Sequence, residues 1–99
     1  MNVCVYAIYD KKALVYNVPF FLANNMVAVR TFMGIVQDET TMVSKNPEDF
    51  VLYRLADYDD EKGLITSLEN NMQVMSGMEA IRQLKYLEEK EEYDDEHED

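Results

Sequence analysis

The chain of 99 residues is 47% hydrophobic and has only three glycines and two prolines, so it can build one folded domain and is not a linker. Its formal net charge is −11, but residues 88–99 hold nine acidic residues against one lysine, which leaves −3 for residues 1–87. This split excludes a uniformly acidic disordered protein and a basic nucleic-acid-binding arm. The single cysteine, Cys4, excludes an internal disulfide and fits a reducing compartment.

The apolar runs and the first residues of the chain bear on localisation. No stretch approaches about 18 consecutive apolar residues, the length that a membrane-spanning helix needs. The segment Met1–Tyr6 has no positively charged region and no small-residue cleavage site. We therefore expect neither a membrane span nor a secretory signal.

The first 22 residues predict a β-hairpin. Asn2–Tyr9 places apolar side chains on both faces of a strand, which is typical of the middle of a sheet. Asp10–Lys12 is a polar break, and Ala13–Leu22 is again rich in β-branched and aromatic residues. Pro19 has no N–H to donate, so the second strand lies at an edge of the sheet or ends near that residue.

Two asparagines and an apolar stripe predict the first helix. Asn24 and Asn25 are good N-cap residues, and the helix is expected over about Asn25–Gln37. Gly34 costs this helix about 1 kcal/mol relative to alanine, which we attribute to close packing of the helix on the sheet. The stripe consists of Ala28, Phe32, Ile35 and Val36.

The middle of the chain predicts a loop, a single helical turn and a second hairpin. Residues 38–46 show no clear period and are expected to form a loop, after which Asn46–Pro47 suits the start of one helical turn with the asparagine as its cap. Phe50–Tyr58 and Leu64–Leu68 are the predicted strands of the second hairpin. Gly63 supplies the positive φ that such turns commonly need.

The last third of the chain predicts an amphipathic helix followed by an acidic tail. Ser76 and Glu79 match the S-x-x-E capping box, so a second helix is expected over about Gly77–Lys90, amphipathic at first and entirely polar at its end. We expect a single domain over residues 1–87 and a disordered acidic tail over residues 91–99. The apolar positions of the helix are Met78, Ile81, Leu84 and Leu87.

The order of these elements, ββαββα, predicts an α+β fold. A right-handed connection through the first helix makes the third strand antiparallel to the first, which gives a four-stranded antiparallel sheet of order 2-1-3-4. One helix covers one face of this sheet. The other apolar face must contact the C-terminal helix or a second copy of the chain, because a monomer rarely exposes so large an apolar patch.

The residue pattern contains no catalytic or metal-binding motif. His97, the single histidine, lies in the acidic tail, where no fold would hold it beside a nucleophile. Cys4 has no basic neighbour in sequence and is expected to be a small buried hydrophobe. The acidic turn 57–68 resembles a calcium loop, but its glycine falls at the seventh position and its twelfth position is Leu68 in place of a glutamate. We expect no enzymatic activity, no metal and no cofactor.

Two groups of side chains remain that suit binding. The methionines Met72, Met75 and Met78 fit either an adaptable core or an adaptable surface. Aromatic rings can stack on the bases of single-stranded nucleic acid beside basic side chains, although any one ring is more commonly part of a core. The rings are those of Tyr6, Tyr9, Tyr16, Phe20, Phe21, Tyr53 and Tyr58, and the cations are Lys11, Lys12, Arg30, Lys45 and Arg54.

Several short motifs, taken together in order, resemble one known family. The motifs are Tyr9–Lys12 with Tyr16 and Pro19–Phe20, then Ala28–Phe32, then Asn46–Phe50 with Leu52–Tyr53, and then Tyr58–Asp60 with Gly63. They resemble the small non-structural protein of gokushoviruses, microviruses that infect bacteria and carry a small circular single-stranded DNA genome. The similarity spans about residues 3–63, and no match is apparent beyond Leu68.

The resemblance implies a non-enzymatic accessory role in the host cytoplasm, in the production or packaging of the viral single strand. If the protein contacts single-stranded DNA, the expected cationic contacts are Lys11, Lys12 and Arg30, with Tyr9 and Tyr16 as stacking partners. The first hairpin and the start of the helix hold the matching residues and most of the cations.

Two questions stay open from the sequence. The chain could instead be a protein-interaction module that binds a host replication factor, or viral capsid or replication proteins, without contacting DNA. The acidic tail resembles in charge the tails of phage single-strand-binding proteins, which compete with DNA for a basic groove and recruit partner proteins. A simple solubilising extension is the other reading of the tail.

Overall fold

The computed structural model describes the backbone of residues 2–97 and the side chains of residues 2–91. Over these residues the chain forms one antiparallel sheet of order β2-β1-β4-β5, in which β3 also pairs with β1. The strands are β1 (Asn2–Asp10), β2 (Val15–Tyr16), β3 (Phe20–Leu22), β4 (Phe50–Asp59) and β5 (Leu64–Ser76). The helices are α1 (Asn25–Gln37), α2 (Met42–Lys45) and α3 (Gly77–His97), with a 3₁₀ turn at Pro47–Asp49.

The predicted α+β fold and its sheet order are confirmed. The predicted second strand, Ala13–Leu22, is divided into β2 and β3, and both pair antiparallel with β1. The division falls at Asn17–Pro19, where the proline has no N–H to donate to a ladder. The two predicted strands of the second hairpin correspond to β4 and β5, and β4 pairs with β1 along its whole length.

All three helices pack on one face of the sheet. This face carries Cys4, Tyr6 and Ile8 of β1, and Cys4 is buried as predicted. Phe32 of α1 is almost fully buried against them, which contributes about 1.5–3 kcal/mol. Ala80 of α3 belongs to the same core, so the C-terminal helix lies on the same side of the sheet as α1. It therefore does not cover the other apolar face of the sheet.

The helix starts follow the predicted capping. The side chain of Asn24 accepts a hydrogen bond from the N–H of Val27 at 3.0 Å, and α1 has the predicted bounds. The capping box of α3 is also present: the N–H of Glu79 donates to Oγ of Ser76 at 3.1 Å, and the N–H of Ser76 donates to Oε1 of Glu79 at 3.3 Å. Both helices therefore begin where side-chain oxygens replace missing backbone partners.

The glycine of α1 does not have the role that its position predicts. A Cβ on Gly34 would meet no atom within 4 Å, so the prediction that Gly34 packs closely on the sheet is wrong. The close approach occurs at Gly77 instead, where a Cβ would lie 2.0 Å from the carbonyl oxygen of Pro47. Gly63 has φ +66°, which confirms the predicted need for glycine in the second hairpin turn.

Two predicted segments and one predicted helix cap differ from the structure. The segment expected to be a loop contains α2, because Thr41 caps it by accepting a hydrogen bond from the N–H of Ser44 at 3.1 Å. Strand β5 runs to Ser76 rather than Leu68, because pairing with β4 outweighs the low strand propensity of its polar residues. The 3₁₀ turn begins at Pro47 as predicted, but the side chain of Asn46 makes no capping hydrogen bond.

The C-terminal helix is longer than its apolar pattern predicts. Residues 91–97, which the sequence assigns to a disordered tail, are helical as the continuation of α3. Glutamate is a strong helix former, so the helix continues past Lys90. Residues 98–99 lie outside the described residues, and the domain limit at residue 87 stays a prediction.

Candidate nucleic-acid interface

The sheet face opposite the helices is called the open face here. Side chains alternate along β1, so Val3, Val5, Ala7 and Tyr9 lie on this face while their neighbours point into the helix-covered core. Strand pairing places Tyr16 beside Tyr9, Phe21 beside Val5, and Tyr58 beside Val3. In the part of the chain that the structure describes, no helix packs on this face.

Three tyrosines from three strands meet at one end of the open face, and we call them the tyrosine trio. The ring centroids of Tyr9 and Tyr16 are 4.6 Å apart, those of Tyr16 and Tyr53 are 5.7 Å apart, and those of Tyr9 and Tyr53 are 6.2 Å apart. The side-chain amide of Asn71 on β5 donates a hydrogen bond to the phenolic oxygen of Tyr16 at 3.1 Å. Tyr16 keeps 42% of its surface exposed, so this fixed cluster still presents a ring to solvent.

A second aromatic pair lies further along the same face. Phe21 and Tyr58 are in edge-to-face contact with centroids 5.6 Å apart, and Phe21 is 48% exposed. The buried side chains of Val5, Ala7 and Ala56 form a floor of small residues between this pair and the tyrosine trio. Tyr16 and Phe21 pair with residues four positions apart on β1, so the two exposed rings are separated by roughly 13 Å along the sheet.

A bulge explains how β4 supplies tyrosines to both aromatic groups. Tyr53 and Tyr58 are five residues apart and would point to opposite faces of a regular strand. The register of β4 against β1 shifts between Val5 and Tyr6, so Ala7 pairs with Tyr53 while Val3 pairs with Tyr58. Both rings therefore reach the open face, an arrangement that strand periodicity alone does not predict.

The structure brings four of the five sequence-predicted site residues together. Tyr9 and Tyr16 form the closest ring pair of the trio, and the exposed Lys11 and Lys12 lie in the turn that joins β1 to β2 beside them. That turn is held in place, because the N–H of Lys12 donates to Oδ1 of Asp10 at 2.9 Å. It is also tied to the 3₁₀ turn by a hydrogen bond of 2.7 Å between backbone atoms.

The fifth predicted residue, Arg30, lies elsewhere. It is exposed on α1, on the helix side of the sheet, and lines a groove against α3. Arg54 is also absent from the open face: it pairs with Tyr6 across the strands, and its guanidinium is hydrogen-bonded to Asp57. That hydrogen bond raises the pKa of Arg54 above its ordinary value. Neither arginine is therefore placed to contact a ligand that sits on the tyrosine trio.

Other chemistry is sparse among the described residues. Among the side chains of residues 2–91, no cluster of three or more histidine, cysteine, aspartate or glutamate residues is placed to hold a metal ion. The thiol of Cys4 is buried, with its Sγ 3.9 Å from the carbonyl oxygen of Ala23. The side chain of His97 lies outside the described residues. None of the described helices is long and apolar enough to cross a membrane.

The site residues that the sequence did not single out are Tyr53, Phe21 and Asn71. The two rings were among the candidate aromatics, but their face depends on the β4 bulge and on the division of the second strand. Asn71 lies in the part of β5 that the sequence did not predict, and only its contact with Tyr16 shows its role. Only a prediction that β5 continues past Leu68 would have placed Asn71 in the sheet.

Comparisons with known proteins give one match. A family model described as Phage ORF5 protein matches residues 3–85. The matched region contains both hairpins, the open face and the start of α3, so it extends well beyond Leu68, where the sequence resemblance ended. No curated protein and no solved structure matches the chain.

Proposed function

The chain belongs to the Phage ORF5 protein family, and we propose that it is a non-enzymatic phage accessory protein that binds single-stranded DNA on its open face. We also propose that the chain is one of the small non-structural proteins of gokushoviruses. The proposal also includes a role in the host cytoplasm, in producing or packaging the viral single strand. The phage family supports an accessory role in infection, and the exposed rings of the open face support single-stranded DNA as the ligand.

The observation that carries the proposal is the pair of exposed rings on one helix-free face. Tyr16 and Phe21 present their rings to solvent, and each is braced by a second ring at its edge. A braced ring loses little conformational freedom when a base stacks on it, and such stacking contributes about 1–3 kcal/mol per base with little sequence preference. Two such rings suit a flexible strand whose bases are unpaired.

The charges predict a weak and salt-sensitive complex. Lys11 and Lys12 are the cations beside the trio, while residues 88–99 carry a local charge of −8 that repels DNA. Two phosphate contacts predict that log K falls with log salt concentration with a slope of about −1.4. Binding is therefore expected at low ionic strength, where stacking is assisted by both lysines.

The test is a fluorescence anisotropy titration of the full chain with a labelled oligothymidylate about 12 nucleotides long, which suits one small binding face. Tyr16→Leu and Phe21→Leu should each weaken binding about tenfold, because each removes one stacking platform. The matched control is Tyr86→Leu, which removes a still more exposed tyrosine from α3 and should change nothing. No binding at low salt, or equal affinity for Tyr16→Leu and Tyr86→Leu, overturns the proposal.

A second copy of the chain is the competing occupant of the open face. Homodimerisation would bury Tyr16 and Phe21 and explain their exposure in a single chain. The mass in solution, measured with and without the oligonucleotide, separates the two cases. A monomer that binds DNA supports the proposal, whereas a stable dimer that excludes DNA contradicts it.

The second candidate function is a protein-interaction module. The specific observation that favours it is the apolar groove lined by Arg30 and its neighbours on the helix side of the sheet. This groove and the open face lie on opposite sides of the molecule, so the two functions are compatible.

A further inference from the structure

A groove runs between α1 and α3 on the side of the molecule away from the open face, and we call it the α1–α3 groove. It encloses about 730 Å³, a volume within the range of sites that hold a ligand or a few side chains. Met26 is 76% exposed and Leu87 is 42% exposed at its rims. Its apolar lining consists of Met26, Val29, Met33, Leu84 and Leu87.

Gly34 leaves open space in the lining of the groove. This glycine costs α1 about 1 kcal/mol relative to alanine, yet it has no positive φ and no neighbour that a Cβ would touch. It lines the groove, so the space that its missing side chain leaves is part of the groove. The methionines beside it are flexible and can adapt to the shape of a bound side chain.

One end of the groove is acidic. Near the C-terminus of α1, a second depression is lined by Gln37, Leu84 and Leu87 together with Glu88 and Glu91. A ligand whose apolar side chains fill the groove therefore meets carboxylates as it leaves at this end.

We propose that the α1–α3 groove binds an amphipathic helix of a partner protein, with its apolar side chains in the groove and its basic side chains beside Glu88 and Glu91. The groove follows α1 from Met26 to Gln37, which is a length of roughly 16 Å or three helical turns. Docking an apolar helix face in a groove between two helices is a common mode of peptide recognition. Arg30 also lines the groove, but Glu88 and Glu91 outnumber it, and this net negative charge favours a basic partner over an acidic one.

The first experiment uses two synthetic amphipathic peptides with the same leucine positions, one with lysines and one with glutamates on the polar face. Each is labelled and titrated with the full-length protein at low salt. The lysine peptide should bind at least tenfold more tightly than the glutamate peptide. Equal binding of both peptides, or binding of neither, overturns the proposal.

Substitutions then locate the binding. Gly34→Phe places a ring in the groove and should weaken the lysine peptide at least tenfold, while Thr31→Phe, an exposed position of α1 outside the groove lining, should leave its affinity unchanged. Thermal unfolding confirms that each variant is folded. If Gly34→Phe unfolds, Met26→Ser is the second variant, and its affinity should fall about threefold.

The acidic end of the groove has its own test. Glu88→Gln with Glu91→Gln should weaken the lysine peptide about fivefold, since two exposed charge contacts are lost. Tyr16→Leu on the open face should leave the peptide affinity unchanged, which separates this site from the DNA site. The proposal is contradicted if neither groove substitution changes the peptide affinity. It is also contradicted if the chain forms a homodimer that Gly34→Phe dissociates.

Discussion

The phenolic oxygen of Tyr6 lies 2.6 Å from Oδ1 of Asn25, and the hydrogen bond that it donates joins the central strand to the first turn of α1. Tyr6 is fully buried, so this oxygen has exchanged water for protein partners. The side-chain amide of Asn25 also lies 3.9 Å from the sulfur of Met72, which extends the link to β5. One buried hydroxyl thus positions the helix layer on the sheet.

Tyr6→Phe should lower the free energy of unfolding by about 1–2 kcal/mol, because it removes the hydrogen bond and leaves Asn25 without this donor. Urea unfolding followed by circular dichroism measures the change. The matched control is Tyr86→Phe, whose exposed hydroxyl should contribute little. Equal stabilities of the two variants would show that the Tyr6 hydrogen bond does not hold α1 in place.

The pH dependence of stability follows from the same residue. Burial raises the pKa of Tyr6 above its ordinary value of 10.0, with its neighbour Cys4 adding to the effect. The unfolded chain therefore loses this proton at a lower pH than the folded chain, so stability is retained below pH 10.0 and falls as the pH rises above it. Urea midpoints at pH 8 and about 11 should differ less for Tyr6→Phe than for the wild type. An unchanged difference would contradict the raised pKa.

The two helix glycines should respond in opposite ways to alanine. Gly34→Ala should stabilise the protein by about 0.5–1 kcal/mol, because the added methyl group meets open space and alanine favours the helix. Gly77→Ala should destabilise it by about 1–3 kcal/mol, because its Cβ would overlap the Pro47 carbonyl oxygen. Thermal unfolding of both variants checks the pair, and a change of the same sign for both would refute the packing difference.

The lysines of the first turn should control the salt dependence of DNA binding. Lys11→Gln with Lys12→Gln should reduce the slope of log K against log salt concentration from about −1.4 towards zero, since each lysine pairs with one phosphate. Lys85→Gln on α3 is the control for a change of net charge. A reduced slope for the control alone, or for neither variant, would mean that the turn does not contact the strand.

The acidic segment of residues 88–99 should act on DNA and on the partner helix in opposite directions. Changing the nine acidic residues of 88–99 to amides should tighten DNA binding, because the competing negative charge is removed. The same variant should weaken the lysine peptide, which needs Glu88 and Glu91. A synthetic peptide of residues 88–99, added at constant ionic strength, should displace DNA from the amide variant if the tail competes for the open face. Failure to displace DNA would leave the tail as a solubilising segment.

The fold was largely predictable because local and global preferences agree. Asn24 and the capping box at Ser76 set the two main helix starts, and the doubly apolar β1 required a central position. The C-terminal half of β5 was not predictable, because its pairing with β4 stops after Ser67 and resumes at Met72, across polar residues such as Asn70 and Asn71 that disfavour strands. The short α2 was not predicted, because its four residues show too little periodicity.

The candidate site was predictable only in part. Tyr9, Tyr16 and the two lysines are close in sequence, so the first hairpin brings them together whatever the rest of the chain does. Arg30 was grouped with them because it is a cation within the matching motifs at the start of the helix, but that helix packs on the other side of the sheet. Tyr53 joins the trio because of a bulge, a feature of strand pairing that a single sequence does not reveal.

The most direct test of DNA binding on the open face is chemical-shift mapping by NMR of the full chain during titration with the oligothymidylate. DNA binding on the open face predicts shifts in the backbone amides of β1, β2 and β3 around Tyr9, Tyr16 and Phe21, and none along the α1–α3 groove. Shifts confined to α1 and α3, or no shifts at low salt, would contradict it.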